Sequence, residues 1–223
     1  MIEIGFKKIE LEDKDLITHY FKHHTSRSCE RTFVNVYLWA RFYHVKFAEV
    51  EHTLVFRTED EDGFSFAYPA GEPENVKKAL DVLMVYSKER GVPFLMYTVT
   101  PDNFEYLEKW YPGRFEIEYV EGDADYVYES EKLATLSGKK LHSKRNHVNK
   151  FKIVYADRWS YEPISEDNLE ECVQTGLKWR NENGCEEDEE KNAELCVTLN
   201  SLRLFKELDL VGGALRVDGK IIA

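Results

Sequence analysis

The sequence predicts a mixed α/β protein made of two successive units, and three observations carry that expectation. Amphipathic helical spacing and strand-like runs alternate along all 223 residues instead of falling into separate blocks. After a basic stretch past the middle, a second run of strand, helix, helix and hairpin begins. The last residues, ALRV-DG-KIIA, carry a hairpin signal, with Asp218-Gly219 suited to a type I′ turn.

Taken in order, residues 5–9 read as a strand and residues 16–22 as a helix behind acidic cap material. In SCERTFVNVYLWARFY, Phe33, Val36, Tyr37 and Ala40 fall at i, i+3, i+4 and i+7, which makes an amphipathic helix. VKFAEV, TLVFRT and FSFAYP are strand signals. PENVKKALDVLMVYSKERG opens with Pro and closes with Gly, the asymmetry helices favour. PFLMYTVT reads as a buried strand, DNFEYLEKWYPG as a short helix, and FEIEYVEGDADYVYE as a strand pair or one bent strand. The first unit is therefore assigned to 1–130 and the second to 131–223.

In the second unit a basic helix is followed by the strand WSYEPI. Ser165 is expected to cap the next helix, and a longer helix places Leu195, Leu199, Leu202 and Phe205 on one face. The last hairpin strand is short and apolar, so the second unit is expected to be truncated, because such a strand leaves an unpaired edge.

Composition narrows the functional classes. The formal net charge is -12, which argues against non-specific coating of nucleic acid but not against a local basic site. Thirteen Tyr and thirteen Phe provide material for a core, which a disordered chain lacks. No apolar run reaches the roughly 20 residues needed to span a bilayer, and the acidic start is unlike a signal peptide. Cys29, Cys172, Cys185 and Cys196 lack paired metal-ligand spacing, and four scattered thiols read as reduced and cytoplasmic.

The acidic chain contains one segment of opposite character. Residues 132–156 hold six lysines and one arginine and no Asp or Glu. If 138–152 is helical, Leu141, Val148 and Phe151 share a face, and Lys144 and Arg145 border it. Charges beside a buried face must snorkel or find a partner. Lys139 and Lys140 follow Ser137-Gly138 in the first turn, where the helix dipole disfavours cations, and a bound phosphate would reverse that effect. Two readings stand: an anion site formed by Lys139, Lys140, Lys144, Arg145 and Asn146, or a basic helix paired with the acidic run at 186–190.

Other candidates are weaker. His142 and His147 are five residues apart and do not share a helix face, so no metal site is expected. YPAGEPEN places a Gly before a helix start, but Glu72 and Glu74 would repel a pyrophosphate, so it reads as a plain turn. Trp39 and Trp179 sit on helical faces and read as core, and no Gly-x-Ser-x-Gly or Cys/His nucleophile arrangement stands out.

SCERTFVNVYLWARFY, DADYVYESEKLATLSGKKLHSKRNHVNKF and GGALRVDGKIIA together resemble the phosphatidylglycerol lysyltransferase C-terminal domain family, in particular its stand-alone bacterial members. The resemblance covers nearly the whole chain. It implies a Fem-like fold of two GNAT-type acyl-CoA N-acyltransferase units in tandem, the second stopping at its third strand and the first catalytically degenerate. It also implies an acyl- or aminoacyltransferase that moves an activated acyl group to an amine or hydroxyl acceptor, with aminoacyl-tRNA or acyl-CoA as donor. On that reading tRNA or another polyphosphate lies on the basic segment, no cofactor is held by this stretch of chain, and Asp125 is either an orienting carboxylate or a turn residue. The alternative is a non-catalytic binding or regulatory protein that keeps the fold.

Overall fold

The computed structural model describes residues 1–22, 26, 28–61, 63–124, 126–183 and 188–223. They form two compact units, Met1–Tyr119 and Val120–Ala223. Residue 130, the boundary assigned from the sequence, lies inside the second unit at the start of its first helix.

In the first unit, helices α1 (Lys14–Lys22) and α2 (Phe33–Trp39) precede strands β1 (Val45–Val50), β2 (Thr53–Asp60) and β3 (Gly63–Ala67). Helix α3 (Pro73–Arg90) then crosses to β4 (Met96–Tyr97), and α4 (Pro101–Trp110) follows. The sheet order is β1-β2-β3-β4. The two hairpin-linked pairs are antiparallel, and β3 and β4 are parallel because α3 carries the chain back between them. Helix ends follow local chemistry: the Thr32 and Thr100 hydroxyls accept from the N–H groups of Asn35 and Asn103, and α3 ends at Gly91 with φ +71°.

β2 is buried over its first five residues, as a strand covered on both faces should be. Towards α3, Val55, Phe66, Ala79, Leu83 and Tyr86 form one core cluster, and Tyr68, Val76 and Leu80 pack with Leu107 and Tyr111 in a second. On the opposite face Phe56 stacks on Phe21 of α1. Arg57 is 9% exposed, with its guanidinium 4.3 Å from the Phe6 ring centre and 2.5 Å from the Tyr86 hydroxyl, and it pairs with Glu59.

Three expected strands are reduced or missing. The strand at 5–9 shrinks to one antiparallel bridge between Lys7 and Phe47, with reciprocal hydrogen bonds of 2.9 Å. PFLMYTVT yields only the two residues of β4. Beyond Tyr97 the backbone turns through Thr98 (φ +54°), and Arg31 takes the Tyr68 carbonyl at 2.8 Å and the Thr98 hydroxyl at 3.3 Å. Neither the strand pair nor the bent strand expected over 115–129 forms among the described residues, which hold one 3₁₀ turn, Glu121–Asp123, and Tyr126 is 89% exposed. The alternation of apolar residues is present there, but none of it joins either sheet.

The second unit contains α5 (Ser130–Thr135), α6 (His142–Val154), β5 (Trp159–Pro163), α7 (Leu169–Glu182), α8 (Glu189–Arg203), β6 (Gly213–Val217) and β7 (Lys220–Ile221). Its antiparallel sheet has the order β5-β6-β7. The predicted turn forms, with φ +52° at Asp218 and +77° at Gly219, as type I′ requires. The Tyr161 ring lies across Gly213, so that a Cβ there would displace it. Leu195 and Leu199 are buried against Val173, with Leu202 beside them, whereas Phe205 lies beyond the end of α8. Ser165 is not the cap of α7. Asn168 precedes that helix, and its side chain turns back to accept from the Ser165 N–H at 2.8 Å and to donate to Glu162 and the Pro163 carbonyl.

Candidate functional site

The basic segment is built by two breaks in helical structure. α5 ends at Leu136 in the left-handed region (φ +50°), and Gly138 follows at φ +91°. Lys139–Leu141 form a 3₁₀ turn, and only then does α6 begin, at His142 rather than at residue 138. Lys139 and Lys140 thus precede the α-helix instead of occupying its first turn. No side chain caps the start of α6.

Arg145 holds this turn in place. Its Nη1 donates to the Leu136 carbonyl, and its Nη2 lies 3.3 Å from Nδ1 of His142. Asn146 meets the other ring nitrogen of His142 at 3.1 Å. Arginine can only donate, so Nδ1 accepts from Arg145, and the Asn146 amide nitrogen faces Nε2. Gly138, Lys139, His142 and Arg145 line an open hollow of about 480 Å³. The structure therefore brings Lys139, Arg145 and Asn146 together around His142, while Lys140 and Lys144 are exposed beside them. The sequence reading set His142 aside as a metal ligand and missed this role. Its signal was the i, i+3, i+4 spacing to Arg145 and Asn146.

Two sequence readings need correction. Lys144 does not border a buried face: α6 has no buried residue, and Val148 is 41% exposed. Phe151 is half-buried, packing its ring 4.9 Å from that of Tyr155 and 5.9 Å from that of Trp159, so the stripe contributes one anchor rather than a seam. The acidic run offers no counterpart to the basic segment among the described residues. Asp188 caps α8 and pairs with Lys191 at 3.1 Å, while Glu186 and Glu187 lie outside the described residues. Asp125 also lies outside them.

Among the described residues Lys139, Lys140, Lys144, Lys150 and Lys152 make no ion pair, whereas Lys132 pairs with Glu129 at 2.9 Å. Five unpaired lysines on an exposed surface of an acidic chain form a localised positive potential. A different ionic cluster, invisible in the sequence, organises the sheet of this unit. Arg216 of β6 donates to Glu162 of β5 at 2.8 Å and to Glu171 of α7 at 2.8 Å. Both carboxylates are held below their usual range, Glu162 by the Asn168 amide and then Arg216, Glu171 by Arg216 and then the Ile221 N–H. All the groups in this cluster are satisfied, which makes it a tie between sheet and helix. Among the described residues no group of His, Cys, Asp and Glu could hold a metal ion, and no helix is long and apolar enough to cross a membrane.

Residues 21–223 match the family model described as phosphatidylglycerol lysyltransferase, C-terminal. The chain belongs to that family. A crystal structure of a conserved protein of unknown function from Bacteroides thetaiotaomicron VPI-5482 superposes with a TM-score of 0.89 at 34% identity, over 98% of this chain and 73% of that one. An uncharacterized protein of Mycoplasmoides gallisepticum is 31% identical over 90 residues, which is 40% of this chain but only 29% of that relative. The family match includes both the basic segment and the hairpin on which the resemblance in the sequence rests.

Proposed function

We propose that this chain acts as a transferase of the acyl or aminoacyl class, with the basic segment as the contact for an anionic donor. The observation that carries this reading is the family match over 21–223, since the family is named for transfer of a lysyl group to phosphatidylglycerol. Supporting it, the element order β5-α7-α8-β6-β7 repeats the opening of the first unit, in which the Lys7 bridge, α1, α2, β1 and β2 occur in the same order. That repetition is what a tandem GNAT-like chain would show. The donor is aminoacyl-tRNA in preference to acyl-CoA, because Lys139, Lys140 and Lys144 are dispersed and exposed, which suits a phosphate backbone better than one compact pyrophosphate. Arg145 and Asn146 would position the donor end, and the site would work in the cytoplasm, where charged tRNA is available.

In such a transfer the amine or hydroxyl of the acceptor attacks the ester carbonyl. A new C–N or C–O bond forms, the bond to the ribose oxygen breaks, and the proton lost by the acceptor ends on that oxygen. One observation favours a second reading, a binding or regulatory protein without turnover. Both ring nitrogens of His142 are engaged by Arg145 and Asn146, so the hollow presents no free imidazole base. The full chain should be incubated with radiolabelled aminoacyl-tRNAs and with acyl-CoAs, alongside phosphatidylglycerol vesicles and soluble amines. Label transferred to an acceptor supports the transferase. Saturable tRNA binding without transfer supports the second reading, and neither binding nor transfer overturns both.

A further inference from the structure

We propose that the first unit carries a binding cleft for a small amphipathic monocarboxylate at the C-terminal end of α3, independent of the basic segment. The cleft has a volume of about 380 Å³, within the range of small-molecule sites. Met84 of α3, Val92, Phe94 and Phe115 form its apolar wall, and Lys88 and Arg114 supply two cations. The wall is continuous with the packed core, since Met84, Phe94 and Phe115 lie against the cluster of Tyr68, Leu80 and Tyr111.

Ser87 forms the floor of the cleft. It is 1% exposed, and its hydroxyl has no hydrogen-bond partner. A buried hydroxyl left unpaired is unfavourable, and a helical serine ordinarily relieves this by bonding to the carbonyl one turn back. Here that bond is not made, and the hydroxyl lies closed to solvent beneath the floor of the cleft, so recognition falls to the apolar wall and the two cations. Neither Lys88 nor Arg114 makes an ion pair among the described residues. Arg114 is placed by its own N–H, which donates to the Tyr111 carbonyl at 3.1 Å, and by the Tyr111 ring 5.9 Å from its guanidinium.

These features select the ligand. Two cations beside an apolar wall reject a cationic or purely apolar guest and accept an anion with an apolar body. The planar guanidinium favours a carboxylate, which it can grip through two parallel bonds. Two effects oppose an anion here, the negative end of the α3 dipole and the charge of Asp81, which Arg114 feels. Both are already compensated. The Gly91 and Val92 N–H groups and the Arg90 side chain occupy terminal carbonyls of α3, and Asp81 is held by Tyr111 and Lys77.

The test is calorimetric titration of the full chain with octanoate, octan-1-ol and octylamine, which share one tail. Octanoate should bind saturably at one site per chain, with the alcohol and the amine at least about tenfold weaker. Arg114→Gln and Lys88→Gln should each weaken octanoate about tenfold, and Lys139→Gln should leave it unchanged. Arg114 and Lys88 are exposed, so these variants are expected to keep the fold, which circular dichroism would verify. Absence of saturable octanoate binding, equal affinity for the alcohol, or an unaltered Arg114→Gln variant would each overturn the proposal.

Discussion

Replacing Lys139, Lys140 and Lys144 together with glutamine tests the donor contact on its most quantitative consequence. All three lysines are exposed and make no ion pair among the described residues, so each is free to neutralise one phosphate. Counterion release contributes a log–log salt slope of about -0.7 to -0.9 per phosphate neutralised. With Arg145 as a fourth contact, the unmodified chain should bind tRNA with a slope near -3, and the triple variant with a slope near -0.8. Between 50 and 200 mM KCl, the first slope corresponds to a loss of about 60-fold in affinity and the second to about threefold. Filter binding of unmodified tRNA across that range is the assay. Exposed substitutions of this kind change stability by no more than about 0.5 kcal/mol, so the melting curve should not move. A triple variant that keeps a slope near -3 would refute the assignment of the site to these lysines. Salt-independent binding by the unmodified chain would refute the phosphate contact itself.

Within the same segment, Arg145→Met should destabilise the second unit by about 1 kcal/mol by releasing the Leu136 carbonyl and His142, whereas Lys144→Met should cost less than about 0.5 kcal/mol. Urea unfolding followed by circular dichroism would show equal effects if the Arg145 bridge were absent in solution. At high pH, burial holds Tyr37, Tyr68, Tyr97 and Tyr111 above their usual range, and Tyr20, which also donates to Glu49, is pushed up to about 12. The unfolded chain ionises near pH 10 and the folded chain later, so stability should be complete below about pH 10 and decline as pH rises towards 12. Thermal melts from pH 9 to 11.5 would check this, and Tyr20→Phe should make the decline shallower. At low pH the depressed carboxylates Glu162 and Glu171 stabilise the fold above their unfolded range and lose that effect as pH falls through their folded values. Arg216→Met should therefore make melting less dependent on pH between about 5 and 3, and an unchanged profile would exclude this cluster as the cause.

How legible each part was depended on whether its signal was local. The helices α2, α3 and α8 follow from apolar spacing, and the Asp218-Gly219 turn follows from the need for two positive φ angles. Strand length was not local. Beyond Tyr97, PFLMYTVT meets a Tyr68 carbonyl already taken by Arg31, more than sixty positions away in the chain. The run over 115–129 shows the same limit, because alternation makes a segment competent to pair but does not provide its partner. The helix cap at residue 168 was misassigned for a related reason: Ser165 and Asn168 are both good caps, and the choice rests on Asn168 reaching Glu162 and Pro163.

The candidate site divides along the same line. Clustered lysines are a compositional signal, and they stand out without a structure because nothing acidic interrupts 132–156. What composition could not give is depth. A helix with an apolar stripe was expected to be half-buried, yet none of α6 is buried, and the consequence for function is direct. A small ligand needs concavity, since a few contacts must exclude water and fix orientation, and the hollow at Gly138 and Lys139 is open. A polyanion draws affinity from displaced counterions, and exposed cations on a convex helix suffice for that. Burying Lys144 would have strengthened its pairing with one fixed anion while removing it from an extended phosphate chain. On the proposed reading, that exposure is why an extended nucleic-acid donor is preferred to a compact acyl-CoA pyrophosphate.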